Sequence, residues 1–529
     1  MMNFSKPTNN GFKQLAIILI IIGVGFRFVN LGHKVYWYDE VQTSFRISGY
    51  TQEEFFQQVY IGWPDTVEHL LKTYQYPTPE RNLQDSFTAL TKHPEHSPLY
   101  FLTARFWMQT FSHSVTTIRS LSALISLLIF PAIYWLCWEL FQSASVSWVA
   151  MGIIAISPFH LIYAQEARAY SLWAVSILLS SAALLQALRI AQTEKSLKAK
   201  IARWGIYSLT VGLGLYSHLL SIFVFAAQAF YVFLTPVWQK RKFIFSYLFS
   251  SLIGVVLFTP WLFVFVQNLA FFLENTESRL VPREGLMLFW LLNLNRIFFD
   301  VNQGISPLNL TLYLTLGLTV YALYFLIKTT PQNVWLFILT LIGVPGMILI
   351  LPDILLGGRG STIARYAMPC YLGIQIAVAY LLTQKLTTPK IPSSHKKRWK
   401  WIFYTLIFTG VLSCMVSLFH PVWWHKSYAK SRDIPKSAKI INQSASPLVI
   451  SDEEPGRIMS LLHELKPNVK VQLMPGYQVI VLPKIEPFSD VLLYRPTQRL
   501  IDGMEKIYNV KVEKPYETSW VRKVVFPQQ

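Results

Sequence analysis

Charge is the scarcest commodity in this chain. Only 14% of its 529 residues are charged, against about 25% in an ordinary soluble domain. Fifty-three per cent are hydrophobic and the mean hydropathy is +0.36, which excludes an ordinary soluble globular protein. Acids are scarcer than bases, 28 against 47, for a net charge of +19. In a soluble chain that excess would point to nucleic acid. Here the basic residues crowd into short loops between apolar runs, which reads as membrane orientation and leaves no nucleic-acid partner. Cysteine is rare as well. Cys137, Cys370 and Cys414 all lie inside apolar runs, without metal-ligand spacing, and a disulfide framework is not expected. No small-residue cleavage site follows the first apolar run, so that run is expected to be a retained helix. No internal repeat and no local HExxH motif is present.

What is present is a series of long apolar runs. They fall at about 15–31, 117–138, 146–163, 170–188, 204–217, 219–237, 244–266, 308–327, 333–351, 367–384 and 401–419. Crossing a hydrocarbon core of about 30 Å takes about 20 helical residues, so these runs predict an all-α polytopic membrane domain of about eleven transmembrane helices over 1–420. Three loops are basic. One holds Arg189, Lys195, Lys198, Lys200 and Arg203, the next Lys240, Arg241 and Lys242, and the third Lys385, Lys390, Lys396, Lys397, Arg398 and Lys400. With Lys6 and Lys13 they define a cytoplasmic side, giving N-in/C-out. The opposite loop 32–116 has the reverse bias, with nine acids against six Lys and Arg. Within it, 97–108 is apolar but short and broken by Arg105, and reads as an interfacial helix rather than a span.

The tail 421–529 is polar enough for a small extracytoplasmic α/β domain. Strands are expected at Pro447–Ser451, Gln478–Leu482, Val491–Tyr494 and Trp520–Phe526, and helices at Arg457–Leu465 and Thr497–Tyr508. It carries no catalytic motif.

The chemically unusual residues collect on the outer side. Val35-Tyr36-Trp37-Tyr38-Asp39-Glu40 leaves the first run with two adjacent acids and three aromatics. Aromatics suit headgroup depth. The acids are either solvated or a general base with a helper that orients a group or binds a cation. Glu166 and Arg168 lie in an outer turn with almost no linker, either an interfacial ion pair or a functional one. Tyr216-Ser217-His218 sits at another outer boundary. Together with Glu95 and His96, His218 makes a scattered candidate set for a divalent metal, without local ligand spacing. The glycine-rich segment Gly357-Gly358-Arg359-Gly360 leads to Arg365-Tyr366, and its arginines suit a phosphate. Arg279, Arg283 and Arg296 add cations in loop 267–307. Carboxylates, arginines and aromatics beside hydrocarbon suit a substrate with a lipid tail, a phosphate head and a polar group to transfer.

These residues resemble the GT-C membrane glycosyltransferases, specifically the family 39 group related to protein O-mannosyltransferases and lipid A aminoarabinose transferases. The resemblance rests on Trp37-Tyr38-Asp39-Glu40, His96-Ser97-Pro98-Leu99-Tyr100-Phe101, Tyr163-Ala164-Gln165-Glu166-Ala167-Arg168-Ala169-Tyr170, Tyr216-Ser217-His218, and Arg365-Tyr366 with Pro369. It spans about residues 15–420. It implies inverting transfer of a sugar from a polyprenyl-phosphate donor on the extracytoplasmic face, to an acceptor hydroxyl on a protein, lipid or glycan. It makes Asp39 the base, with Glu40 and Glu166 in support. Arg168 and Arg365, with Arg359 and Tyr366, become donor-phosphate contacts. Trp37, Tyr38, His96, Tyr170 and His218 become substrate contacts. The family pattern has two prolines after the interfacial His, and Ser97 replaces the first, which weakens the part of His96. No nucleotide cofactor is implied, and a divalent metal is left open.

The rival readings are a lipid-linked sugar flippase or transporter, a polysaccharide polymerase or ligase, and a structural membrane scaffold. A transporter would place polar residues near the bilayer midplane in two related halves. A polymerase would carry its longest outer loop between later spans. The three basic loops point to a bacterial inner membrane.

Overall fold

Each apolar run falls on a helix in the computed structural model, which describes residues 10–238, 241–269, 285–389, 391–426, 428–475, 488–515 and 519–527. Helix is the expected answer in hydrocarbon, where every backbone N–H and C=O must be satisfied within its own segment. Among the described residues, eight helices are long and apolar enough to cross a membrane: Asn10–Phe28, Val115–Phe141, Tyr170–Thr193, Arg241–Gln267, Leu310–Thr329, Gln332–Leu355, Ala364–Thr387 and Ser393–Phe419. The pair Ala144–Ala155 and Pro158–Ala164, bent by 63°, makes a ninth if it is one broken span. Length and composition therefore stop short of the expected eleven. The run 204–217 lies in helix Leu197–Ser217, which opens with Lys198, Lys200 and Arg203, and 219–237 lies in helix Ser221–Leu234, of 14 residues. The segment read as interfacial is helix Pro98–Thr110, whose 13 residues rise about 20 Å, less than a hydrocarbon core.

The bend in the ninth candidate has a local cause. Pro158 has no N–H to donate, and its ring pushes the preceding residue out of the α region. Ser157 accordingly sits at φ −73°, ψ 120°. The chain then forms one short helix and turns sharply through Gln165–Ala169 into helix Tyr170–Thr193.

The chain divides into two compact units. One comprises residues 1–29, 93–100 and 119–418, and holds the long helices. The other comprises 30–92, 101–118 and 419–529. The second unit is built on a six-stranded sheet. Its strands are β1 (Pro64–Thr66), β2 (Pro447–Ser451), β3 (Lys470–Leu473), β4 (Asp490–Tyr494), β5 (Lys511–Glu513) and β6 (Val521–Val525), in the order β1-β3-β2-β4-β6-β5. β2 pairs in parallel with both β3 and β4, with Leu448 opposite Lys470 on one side and Val491 on the other. The outer pairs are antiparallel. β2 is buried along its whole length, as a central parallel strand should be. Leu448, Ile450, Val491 and Leu493 pack with Leu500, Ile501 and Met504 of helix Gln498–Tyr508.

Three expected tail elements match closely: β2, β4 and β6. The helices expected at 457–465 and 497–508 run Pro455–Leu462 and Gln498–Tyr508. The expected strand 478–482 lies outside the described residues, as do Arg279 and Arg283. The sheet is wider than the tail, because β1 comes from the first long loop.

Candidate active site

In the helical unit, the turn after the 63° bend assembles a polar cluster. Gln165 holds the turn to the end of the first helix, its Nε2 donating to the carbonyls of Phe26 and Val29, both at 2.9 Å. Those carbonyls belong to a helix end that has no intrahelical donors left. The Arg168 N–H donates to Glu166 O at 2.7 Å, so the turn is tight. Glu166 is fully buried and Arg168 nearly so. Two guanidiniums face one ring: Arg168 Cζ lies 5.9 Å and Arg365 Cζ 5.4 Å from the Tyr170 centroid. Arg365 also stands 5.5 Å from the ring of Tyr366. His218, at the break after helix Leu197–Ser217, is stacked on Trp173 at 4.6 Å and lies 5.6 Å from Tyr170. The Leu220 N–H donates to His218 Nδ1 at 3.2 Å, which requires an unprotonated nitrogen there. Burial first, then the Arg168 and Arg365 charges, hold this imidazole down to about 3, so it is neutral at pH 7.

Thus three segments far apart in sequence, Glu166 with Arg168 and Tyr170, His218, and Arg365 with Tyr366, belong to one cluster. A buried carboxylate beside two cations and aromatic rings can bind an anionic group and orient a polar one. Arg359 takes a different position and stands over the Phe289 ring at 5.9 Å. Its turn is built by Asp353, whose carboxylate accepts from the Gly360 N–H at 3.1 Å and from Ser361 N and Oγ, both at 2.6 Å. Gly357 and Gly358 have φ of 90° and 130°, a region that favours glycine. Sequence reading missed Asp353, because an acid at the end of an apolar helix gives no sign of the loop it holds.

Glu95 lies between two imidazoles, 3.6 Å from His93 Nδ1 and 3.7 Å from His96 Nε2. Among the described residues no group of three or more His, Cys, Asp or Glu is gathered to hold a metal ion. The expected set of Glu95, His96 and His218 is therefore not assembled as ligands.

Arg27 was also missed, although a lone arginine in an apolar run was a visible signal. It is fully buried and donates to Ser126 Oγ at 3.1 Å, Gly23 O at 2.7 Å and Ala155 O at 3.1 Å. A cavity of about 10 Å³ is lined by Arg27, His160, Tyr163 and Tyr170, room for about one water. His160 Nε2 shares a hydrogen with Gln375 Oε1 at 2.8 Å, and Gln375 Nε2 donates to Ser157 Oγ at 3.1 Å. This network carries polarity inward from the cluster.

The first-loop acids belong to the α/β unit. Helix Tyr38–Ser48 begins at Trp37, and the two acids of its first turn take different environments. Glu40 is fully buried, and its Oε2 accepts the Trp37 N–H at 3.2 Å. It satisfies an orphan donor at the helix start and complements the helix dipole. Asp39 is only half-buried. The Tyr38 ring packs on Gly456, where a Cβ would fall 2.4 Å from ring carbon Cε2. Lys430 Nζ stands 3.7 Å from the centre of that ring. Lys426 Nζ lies 4.6 Å from the Trp37 ring and 4.3 Å from that of Trp423.

An ion-pair group continues from there. Arg457 pairs with Glu454 at 2.7 Å and with Glu453 at 3.4 Å, and Arg495 also pairs with Glu453. Burial and the Glu454 and Asp39 charges push the Tyr38 phenol up to about 12. Burial lowers the Lys430 ammonium from its ordinary range, opposed by Glu454 and Asp39. The tail thus supplies the aromatic and cationic surroundings of the Trp37–Glu40 segment, a contribution no spacing in the sequence announces.

The family model of dolichyl-phosphate-mannose-protein mannosyltransferases matches residues 92–263, which include Glu166, Arg168, Tyr170 and His218. No curated protein matches the chain in sequence. Among solved structures it is similar to ArnT from Cupriavidus metallidurans bound to undecaprenyl phosphate, at 13% identity over 97% of this chain and 99% of that one, with a TM-score of 0.54. The apo state of the same ArnT gives 13% identity, the same coverage and a TM-score of 0.52. The family model thus matches 172 of the 529 residues, and at 13% identity the likeness to ArnT is one of fold.

Proposed function

We propose that the protein transfers a sugar from a polyprenyl-phosphate donor to an acceptor hydroxyl on the extracytoplasmic face, with inversion at the anomeric carbon. The observation that carries this reading is the pair of guanidiniums of Arg168 and Arg365 about the Tyr170 ring, beside the buried Glu166. In this reading they bind the donor phosphate and stabilise the charge that grows on it as the glycosidic bond breaks. Asp39, the half-buried acid of the first-loop pair, takes the proton from the acceptor hydroxyl. Glu40 fixes the helix start that presents it, and Glu166 orients the polar end of a substrate. Tyr170, His218, Trp37, Tyr38 and His96 serve as substrate contacts. The lipid phosphate is itself the leaving group, so no nucleotide takes part.

The reading places the loops with Lys195–Arg203, Lys240–Lys242 and Lys385–Lys400 in the cytoplasm of a bacterial cell. It places the α/β domain of the tail outside. Eleven membrane crossings, with helices Leu197–Ser217 and Ser221–Leu234 as a pair, keep both assignments consistent. That ArnT has been seen with undecaprenyl phosphate supports a polyprenyl-phosphate donor here. A protein, lipid or glycan supplies the acceptor hydroxyl.

The test is transfer of label from a panel of polyprenyl-phosphate sugars to a membrane acceptor fraction, by the wild type and Asp39→Asn in lipid. We expect one donor to be used, and the substitution to lower kcat by about 10²- to 10⁴-fold with donor binding retained. Equal rates would remove Asp39 as the base. Movement of the donor between leaflets without transfer would replace the enzyme by a flippase.

A further inference from the structure

The helical unit has a second polar feature, far from the cluster around Tyr170. Helices Leu197–Ser217 and Arg241–Gln267 pack together and leave between them a groove of about 380 Å³. Its walls include Leu197, Ile201, Phe245 and Phe249, all exposed. Gly205 also lines it, exposed and with nothing within 4 Å of an added Cβ. At its rim stand Lys200 and Lys242. Lys242 Nζ also lies 5.0 Å from the Phe243 ring.

The position along the helix separates this groove from the candidate active site. Lys200 lies in the first turn of helix Leu197–Ser217, whereas Ser217 and His218 lie at the other end. Seventeen residues of helix place them about 25 Å apart, close to the thickness of the hydrocarbon core. The groove opens at the end where the basic loops lie, and the arginine cluster lies at the opposite end. Glu194 is nearby and feels the Lys200 charge. Its carboxylate is engaged with the N–H groups of Lys195 at 2.8 Å and Ser196 at 3.0 Å. The rim keeps a positive balance, with Lys198, Arg203 and Arg241 close in sequence.

We propose that this groove binds an anionic glycerophospholipid from the leaflet on the side of the basic loops. An acyl chain lies along the apolar walls and over Gly205, and the phosphate is held between Lys200 and Lys242. Exposed apolar walls alone would accept any lipid chain. The two ammonium groups at the depth of the headgroups select the anionic ones, because a basic pocket between membrane helices attracts lipid phosphate and added headgroup charge.

The experiment is native mass spectrometry of the full chain in neutral detergent. The protein is titrated separately with phosphatidylglycerol, phosphatidylcholine and undecaprenyl phosphate of defined chain length. Wild type is compared with the double variant Lys200→Ala, Lys242→Ala and with Gly205→Trp. Retention of phosphatidylglycerol over phosphatidylcholine is expected in the wild type. The double variant should lose that preference, with about tenfold weaker binding, and keep its affinity for undecaprenyl phosphate. Gly205→Trp should displace both phospholipids by filling the groove. All three proteins should elute alike and melt at similar temperatures without lipid. Equal retention of the two phospholipids by the wild type would overturn the proposal, as would an unchanged preference in the double variant. Loss of undecaprenyl phosphate from the double variant would also overturn it, assigning the groove to the donor.

Discussion

The helical unit and the α/β unit use charge in opposite ways. In the helical unit ionisable groups are few, and most near the candidate site are buried: Glu166 and Arg27 are fully buried and Arg168 is 6% exposed. In the α/β unit charges are many and pair at the surface, as in Lys523–Asp490 at 2.7 Å and Lys511–Glu513 at 2.9 Å. The difference lies in the surroundings rather than in the chemical groups. A charge beside hydrocarbon is costly, and such groups tend to be retained for function. A surface pair exchanges water for a partner at almost equal free energy. The buried charges of the helical unit therefore point to function, whereas the exposed pairs of the sheet say little about it.

The sharpest test of this contrast is Arg365→Gln. If the cations about Tyr170 act on the leaving phosphate, kcat/KM for the lipid donor falls by about 10²- to 10³-fold, with the melting temperature little changed. A loss of stability without a specific loss of transfer would make the cluster structural and erase the contrast.

Gly456→Ala probes the α/β unit where it is tightly packed. The new methyl would meet the Tyr38 ring at 2.4 Å, so overpacking should cost about 1–3 kcal/mol. The expected readout is a lower denaturation midpoint and faster proteolysis of the first loop. An unchanged midpoint would show that Tyr38 moves aside without cost.

His218 gives a pH-dependent contrast. Its ordinary value is about 6.5 and it is held down to about 3 in the folded chain. The folded state thus resists protonation, so the unfolded chain binds the extra proton first. The contribution of neutral His218 to stability is complete above about 6.5 and is lost as pH falls through about 3. His218→Phe keeps a ring against Trp173 but removes the titration. Its melting temperature should fall less between pH 7 and pH 4 than that of the wild type. Parallel curves would show that the imidazole is not buried neutral.

The smallest effect is expected at Lys523→Met, which removes the pair with Asp490. Both side chains are partly exposed, so the change should stay within about 0.5 kcal/mol. A larger loss would mean that the surface pairs of the sheet contribute more than their exposure allows.

The candidate site was legible in unequal parts. Glu166, Arg168, Arg365 and His218 stood out because charge or imidazole at the edge of an apolar run is rare, and the structure groups them about Tyr170 and Trp173. Glu40 was indistinguishable from Asp39 in sequence. One backbone hydrogen bond, from the Trp37 N–H, distinguishes them. Lys430 and Gly456 had no signal at all, since their significance comes from lying against Tyr38, about four hundred positions away. β1 was missed because Pro64-Asp65-Thr66 has no apolar alternation, and its strand character comes from pairing with β3.

The sequence by itself determined that this is a helical membrane protein with a small α/β portion near its end. Those features follow from local causes: apolar length set against bilayer thickness, the sign of loop charge, and the short apolar strands of the tail. Tertiary structure decided which charged side chains share a site, which acid caps a helix, and which distant residues pack on Tyr38. It also decided that a loop strand completes the sheet. Such choices depend on contacts between positions hundreds of residues apart, and hydrophobic periodicity carries no information about them.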